Sequence, residues 1–356
     1  MAIPVVSLFC GCGGLDLGFV QAGFDVLLAL DIDPVAVNTY NLNLGHGDAH
    51  ADTDGIAKVS DLAQCGGEDI IQLLEARERS IEPRGVIGGP PCQPFSTSNV
   101  HAKTDDPQRA LPGRFATILK TLNERYELDF FVFENVRGIT FRRHRSEFAR
   151  FRGLFEKAGF VLHEFLLDAQ DFGVAQKRPR VFVVGLAESA HGAWRLLPPK
   201  PDAGEIRTVE DEIRGLPEPR FFQRSLRAED IPYHPNHWTM QPKSRKFRDG
   251  SLKEGESRGR SFRVLSWSKP SWAVAYGNRE IHIHPSCERR LSVLEAMRLQ
   301  GFPDDYQLLG TLSDQVRQVC DAVPPAVGAA IGTTIRLFLE GDASVRAPRV
   351  DQRSPL

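Results

Sequence analysis

Pro4-Val5-Val6-Ser7-Leu8-Phe9, then Cys10-Gly11-Cys12-Gly13-Gly14, then Leu15-Asp16-Leu17-Gly18-Phe19-Val20-Gln21-Ala22-Gly23: this stretch decides the fold. The first six residues are mostly apolar and short, as a buried strand requires. The glycines at 11, 13 and 14 let backbone approach a ligand closely. Residues 15–22 read as a helix that Gly23 closes. Strand, glycine-rich turn and helix in that order open an α/β sheet that brings backbone to a ligand. Val26 to Leu30 is a second strand, ending in Asp31-Ile32-Asp33, and Pro34 suits the first turn of a helix reaching about Asn43.

The glycine spacing separates cofactors. A dinucleotide fingerprint needs G-x-G-x-x-G, and here Asp16 stands where the third glycine would fall, which disfavours a nicotinamide cofactor. Asp31, at the end of the second strand, is placed to accept from ribose hydroxyls, which suits NAD and S-adenosylmethionine equally. Capping the following helix explains it as well.

Bulk properties bound the rest. The chain has 356 residues, enough for one large domain and a smaller one or two of medium size. A formal net charge of -2 advertises no global field for nucleic acid, so any such partner must meet a local patch. Six cysteines are too sparse for a disulfide framework and lack zinc-ligand spacing, so no metal and a reduced, cytoplasmic compartment are expected. No signal peptide is evident, and no run of about 18 apolar residues suggests a membrane span.

Working outward, Gly85-Val86-Ile87 feeds into Gly88-Gly89-Pro90-Pro91-Cys92-Gln93-Pro94-Phe95-Ser96. Glycines and prolines make a rigid turn at a strand end with one thiol at its tip. A nucleophile needs such a mount, although an incidental cysteine in a proline-rich loop reads equally well from these residues alone. Residues 96–112 are polar and aperiodic, a long loop beside the thiol that reads as a mobile lid. Asp129-Phe130-Phe131-Val132-Phe133 is an apolar strand ending in Glu134, a carboxylate on the ligand side of such a sheet. Arg178 and Arg180, at i and i+2 entering another strand, put two guanidinium groups on one face. The arginine-rich helix over 142–158 reads as a solvated face, with phosphate contact the lesser reading.

Beyond 187 periodicity weakens and prolines multiply until about 285. Within 241–279 lie ten basic residues, Lys243, Arg245, Arg258 and Arg260 among them, against three acidic. Aromatic residues are interleaved, including Phe247, Phe262, Trp267 and Trp272. That composition suits a phosphate-following surface better than a flexible solvated loop. Ser292 and Glu295 form a capping box for a helix ended by Gly301 and Pro303. Pro324 to Leu339 is an apolar closing helix, and Ala343 to Leu356 reads as a frayed tail.

Together, Phe9 to Gly14, Pro90 to Gln93, Glu134 to Val136, Gln176 to Arg180 and Arg298 to Pro303 resemble the cytosine-5 DNA methyltransferase family over nearly the whole chain. The resemblance implies a Rossmann-like S-adenosylmethionine-dependent methyltransferase fold, with a mostly parallel sheet and helices on both faces. Residues 1–186 plus 286–342 would form the catalytic and cofactor domain, 187–285 a smaller, irregular target recognition domain, and 343–356 a tail. Phe9, Gly11, Gly13, Gly14, Asp31, Ile32, Pro91 and Asp321 would line the cofactor, with Asp52 or Asp54 at the adenine amino group; Asp54 is taken here. Cys92 would be the nucleophile, Glu134 would grip the target base, and Arg178 and Arg180 would buttress both. Gln93, Ser96, Gln176, Lys243, Arg245, Arg258 and Arg260 would meet DNA. One departure stands out. The family's usual Gly-Asn is Cys320-Asp321 here, and an ionised Asp accepts but cannot donate, so a difference is expected in the hold on the cofactor more than in the chemistry.

The implied reaction is attack of the Cys92 thiolate at carbon 6 of a flipped cytosine, with Glu134 donating to ring nitrogen 3 and Arg178 favouring the thiolate. The partners would be double-stranded DNA and a restriction endonuclease acting on the same site, with the enzyme a monomer in the bacterial cytoplasm. The competing readings are a tRNA cytosine-5 methyltransferase on the same scaffold and a catalytically impaired DNA-binding relative.

Overall fold

The computed structural model describes residues 2–45, 55–77, 81–95, 106–202, 204–258, 262–273 and 282–348. Asp52, Asp54, Ser96, Arg260, residues 96–105 of the expected lid and the side chain of Arg258 lie outside the described residues.

The strands that matter are β1 (Ile3–Leu8), β2 (Phe24–Asp31), β3 (Ala57–Val59), β4 (Gly85–Gly88), β5 (Phe130–Val136), β6 (Phe160–Asp168), β7 (Gln176–Lys177) and β8 (Pro179–Ala187). All but β7 form one sheet in the order β3-β2-β1-β4-β5-β8-β6. Pairing is parallel from β3 through β5, and β8 runs antiparallel to both its neighbours. From β1 the chain winds outward to β2 and β3, then crosses back to set β4 on the other side of β1. The order therefore reverses between β1 and β4, where a crevice opens at the carboxyl ends of an α/β sheet.

The described residues form ten helices, most of them flanking the sheet: α1 (Gly14–Gln21), α2 (Pro34–Leu44), α3 (Gly67–Glu75), α4 (Leu111–Tyr126), α5 (Arg145–Lys157), α6 (Glu188–His191), α7 (Val209–Ile213), α8 (Val293–Leu299), α9 (Leu312–Asp321) and α10 (Pro325–Glu340). Alternation along the strands builds two cores. Val5, Val26 and Ala29 face Phe19 of α1 and Ile331, Ile335 and Phe338 of α10. Val6, Leu8 and Leu30 face Ile70 of α3, Leu119 of α4 and Phe151 of α5. At Leu27 the β1–β2 register slips, so Leu27 and Leu28 both join the second core, as a bulge allows. Helices α1 and α10 pack backbone to backbone. A Cβ at Gly18 would lie 2.2 Å from the Pro325 carbonyl oxygen, and one at Gly328 would lie 2.7 Å from that of Leu15.

Two expectations change. The chain beyond 343 is not wholly a frayed tail: Arg346–Pro348 pairs antiparallel with Trp194–Leu196, and Val345 and Leu196 sit in the first core. Trp194–Leu196 thus belongs with the sheet layer, although it lies beyond residue 186. Burial of those two side chains offsets the entropy of ordering the strand. Leu312–Glu340 is long and apolar enough to cross a membrane by length and composition only, as a buried core helix also is. It comprises α9 and α10, broken at 322–324; much of α10 is buried in the first core, and much of α9 is buried beside α8.

Between 197 and 285 the described residues form only short pairings. Arg220–Phe221 pairs with Trp238–Thr239, and Ser271–Trp272 pairs with β7. Val209, Ile213, Ile231, Trp238 and Leu265 pack against Leu291, Met297, Leu308 and Val316, so this segment shares a core with α8 and α9.

Candidate active site

A cavity of about 450 Å³ opens at the β1–β4 reversal. That is within the range of small-molecule pockets, roughly 300–1,000 Å³. One end is built by the turn after β1. Phe9 has φ +56°, a left-handed conformation costing on the order of 1–3 kcal/mol for a residue with a side chain. The bend lets the turn fold back under β2, where the Gly11 N–H donates to Asp31 Oδ2 at 2.8 Å. Asp31 Oδ1 accepts from the Asp33 N–H at 2.9 Å. Asp33, not Asp31, caps α2, accepting from Val35 N–H at 3.0 Å. Each Asp31 oxygen therefore keeps lone-pair capacity for a ligand hydroxyl. Ile32 is 63% exposed beside it, a large apolar side chain offered to the cavity.

Phe9, Gly11, Gly14, Asp31, Ile32, Pro91 and Asp321 all line the cavity. Gly13 does not. A Cβ there would meet Leu44 at 2.8 Å and the Tyr306 hydroxyl at 2.9 Å, so its glycine serves packing behind the turn. Asp16 was missed as a lining residue. Its Oδ1 accepts from the Tyr40 hydroxyl at 3.0 Å, and the Ser7 hydroxyl also favours its ionised form. Burial pushes its pKa up to about 6. A buried carboxylate in the cavity wall suits a ligand carrying N–H groups or positive charge. With the polar Asp31 and the apolar Phe9 and Ile32, these residues fit S-adenosylmethionine.

The other end belongs to β4, β5 and β8. The chain leaves β4 through Pro90 and Pro91, and a 3-10 turn over Gln93–Phe95 follows, with the Phe95 N–H donating to the Cys92 carbonyl. Asn135 Nδ2 donates to the Pro90 carbonyl oxygen at 3.2 Å, which ties the thiol's mount to the end of β5. Asn135 lies inside the quoted Glu134–Val136 motif, but its partner could not be read from spacing. Gly89 is required by Glu134: a Cβ there would sit 2.7 Å from Glu134 Oε2.

Glu134 is 7% exposed and pairs with Arg180 Nε at 3.0 Å. Burial raises its pKa, against the pull of Arg180 and Arg178. Arg178 has a structural task besides the expected buttress. It is wholly buried, and its Nη2 donates to the carbonyls of Cys320 at 2.6 Å and Ala322 at 2.8 Å, pinning the α9–α10 junction. Its Nε and Nη1 have no partner. The thiolate expectation is also corrected. Burial pushes the Cys92 thiol up to about 11; Arg180, rather than Arg178, opposes this most, and Glu134 reinforces it.

Gln93 lies at the cavity rim, and Lys243 and Arg245 are exposed in the irregular segment. Gln176, expected at DNA, is instead fully buried on β7, with its amide nitrogen and oxygen unpartnered. Arg317, one turn before Asp321 on α9, is a lining residue the sequence did not single out. All six cysteines are free, and among the described residues no group of three His, Cys, Asp or Glu is placed to hold a metal ion.

Comparison with known proteins shows the family and the fold. Residues 3–336 match the C-5 cytosine-specific DNA methylase model. The Type II methyltransferase M1.HphI of Haemophilus parahaemolyticus is 31% identical over 94% of this chain and 87% of its own. M.MthTI of Methanothermobacter thermautotrophicus is 31% identical over 96% and 99%. Among solved structures, a prophage-encoded DNA modification methyltransferase from E. coli superposes with a TM-score of 0.75 at 23% identity, over 95% of this chain and all of that one. The S. pombe Dnmt2 methyltransferase superposes at 0.62 and 17%, over 95% and 98%. These two likenesses concern the fold, a Rossmann-like α/β methyltransferase sheet. The family match spans nearly the whole sequence, and on that ground the chain belongs to the C-5 cytosine-specific DNA methylases.

Proposed function

We propose that the chain transfers a methyl group to carbon 5 of a flipped cytosine within a specific double-stranded DNA sequence, through a covalent Cys92 adduct. The observation that carries this is a single cavity holding Asp31 and Ile32 at one end and Cys92, Glu134 and Arg180 at the other. S-adenosylmethionine, when bound, supplies an electrophilic methyl group. Phe9, Gly11, Gly14, Asp16, Asp31, Ile32, Pro91 and Asp321 would hold it.

The chain's own residues do the rest. Cytosine carbon 5 is a poor nucleophile until a thiolate adds at carbon 6 and breaks the aromaticity. The Cys92 thiol, held high by burial, must lose its proton as the base enters. Burial raises the Glu134 pKa, which favours uptake of a proton as the base enters; given to ring nitrogen 3 as the sulfur–carbon bond forms, that proton prevents negative charge from building on the ring. The other Glu134 oxygen accepts from the exocyclic amino group and so selects cytosine. The unpartnered Arg178 Nε and Nη1 are donors available to the base. After carbon 5 takes the methyl group, loss of its proton and expulsion of Cys92 restore the ring. The base must leave the duplex to reach this cavity.

Residues 197–285, with the exposed Lys243 and Arg245, would read the DNA sequence, and a restriction endonuclease cutting the same site would be the functional partner. Bisulfite sequencing of DNA from cells expressing the chain should show protected cytosines in one fixed context. Unprotected DNA, with methylation found instead on a tRNA cytosine, would replace this reading.

Asp321 gives a separate expectation. Burial raises its pKa, with Arg178 and Arg317 opposing. Ionised, it offers the cofactor no donor; protonated, it does. Asp321→Asn should therefore bind S-adenosylmethionine several-fold more tightly at pH 8 by calorimetry. The gap should narrow as acid protonates Asp321 in the wild type. Equal affinity at every pH would remove residue 321 from the cofactor's hydrogen bonding.

A further inference from the structure

We infer that Arg137, Arg142 and Arg145 form a second DNA contact, on the catalytic body, which grips backbone phosphates beside the cavity mouth; this rests on the DNA methyltransferase reading above. The sequence offered this arginine-rich stretch chiefly as a solvated face. Exposed arginines such as Arg150, Arg195 and Arg224 also meet no carboxylate among the described residues, so clustering and position single out Arg137, Arg142 and Arg145, while many other surface arginines are paired. Arg84 meets Asp129, Arg125 meets Glu75, Arg152 meets Glu164, Arg298 meets Asp304 and Arg336 meets Glu340. Arg137, Arg142 and Arg145 are exposed, and among the described residues none of them meets a carboxylate. The nearby acid, Glu147, is already taken by Arg109 and His144. Three uncompensated guanidinium groups within nine residues repel one another, in a chain whose net charge is negative. Such a cluster finds its counter-charge in a polyanion, and the planar fork of arginine suits phosphate.

Position identifies which phosphates. Arg137 is the first residue after β5 and three beyond Glu134, so their Cα atoms are within roughly 11 Å. The short 3-10 turns Arg137–Thr140 and Arg142–His144 lead directly into α5, which Arg145 begins. This frame is locked to the thiol's mount. The His144 ring packs edge-on against Phe95 at 5.2 Å, Arg109 lies over the same Phe95 ring at 5.3 Å, and the Phe95 N–H holds the Cys92 carbonyl. The three arginines therefore stand in fixed relation to Cys92. A cytosine entering the cavity stays covalently joined to its two flanking phosphates, which must lie at the mouth. We assign those phosphates to this ridge, and sequence reading to residues 197–285.

The test is binding of the full chain to a duplex containing its methylation site, measured by fluorescence anisotropy across a salt series. The variant combines Arg137→Gln, Arg142→Gln and Arg145→Gln. A control of equal charge change combines Arg125→Gln, Arg152→Gln and Arg336→Gln. The ridge variant should bind about tenfold more weakly at low salt, with a log K against log salt slope shallower by about 2 to 3, since each phosphate contact contributes about 0.9. Its kcat at saturating DNA should stay within about twofold, because no group touching the base is altered. Unchanged affinity and slope overturn the proposal. So does an equal loss in the control, which would make the effect one of bulk charge, or a loss seen with RNA and not with duplex DNA. Methylation of the same duplex by the wild-type chain is scored separately. A wild type that binds but never methylates fails the enzymatic reading and leaves the ridge to be judged by its slope.

Discussion

Cys92→Ser should abolish methyl transfer, lowering the rate by at least about a thousandfold, while DNA and S-adenosylmethionine still bind. The substitution changes one atom on a mount that is otherwise held independently. Pro90 and Pro91 fix the backbone, Asn135 holds the Pro90 carbonyl, and Phe95 is fully buried beneath the following turn. Folding should therefore be intact, with a melting temperature within about 2 °C of the wild type. The chemistry has no such tolerance. Even the thiol is held near 11 by burial, and a serine hydroxyl in the same surroundings is far harder to ionise and adds poorly to carbon 6. Transfer of tritiated methyl groups to DNA measures the loss. A near-normal rate in the serine variant would show that Cys92 is not the nucleophile.

Local order was legible in the sequence, and contacts between distant segments were not. The β1 strand, its glycine turn and α1 follow from hydrophobic runs and punctuation, and the Ser292 capping box forms as read, with Glu295 N–H reaching Ser292 Oγ at 3.1 Å. The direction of β8 could not be read, because nothing in Pro179–Ala187 says that it returns antiparallel beside β5. Arg178 and Arg180 were read as equivalents from their i, i+2 spacing. Their roles diverge because Arg178 meets the carbonyls of a junction some 140 residues away, whereas Arg180 meets Glu134 on the adjacent strand. Gly13 shows the same limit. It was grouped with its neighbours as cofactor backbone, yet a φ of +87° and the approach of Leu44, Tyr40 and the distant Tyr306 are what disfavour a side chain there. Cys92 was expected as a thiolate because cations were counted. Burial, which a sequence does not display, outweighs them.

That balance between burial and charge gives Glu134→Gln a two-sided signature. Glutamine matches glutamate in volume, so the close approach to Gly89 is kept and the fold should survive. It cannot pass a proton to ring nitrogen 3, and kcat should fall by about 10²–10⁴-fold. Loss of the ion pair also leaves Arg180, whose side chain is 15% exposed, without its carboxylate. For Cys92 the sign is opposite. Glu134 is one of the charges holding the thiol up, and Arg180 is the strongest charge pulling it down. Removing the negative charge and freeing the positive one must lower the thiol pKa. The variant should therefore react faster with iodoacetamide at Cys92 at pH 8 even as its methylation collapses. A purely structural role for Glu134 predicts something else, since a disordered site would change both rates without that opposition. An unchanged kcat would remove Glu134 from proton transfer, and slower alkylation would show that its charge does not govern the thiol.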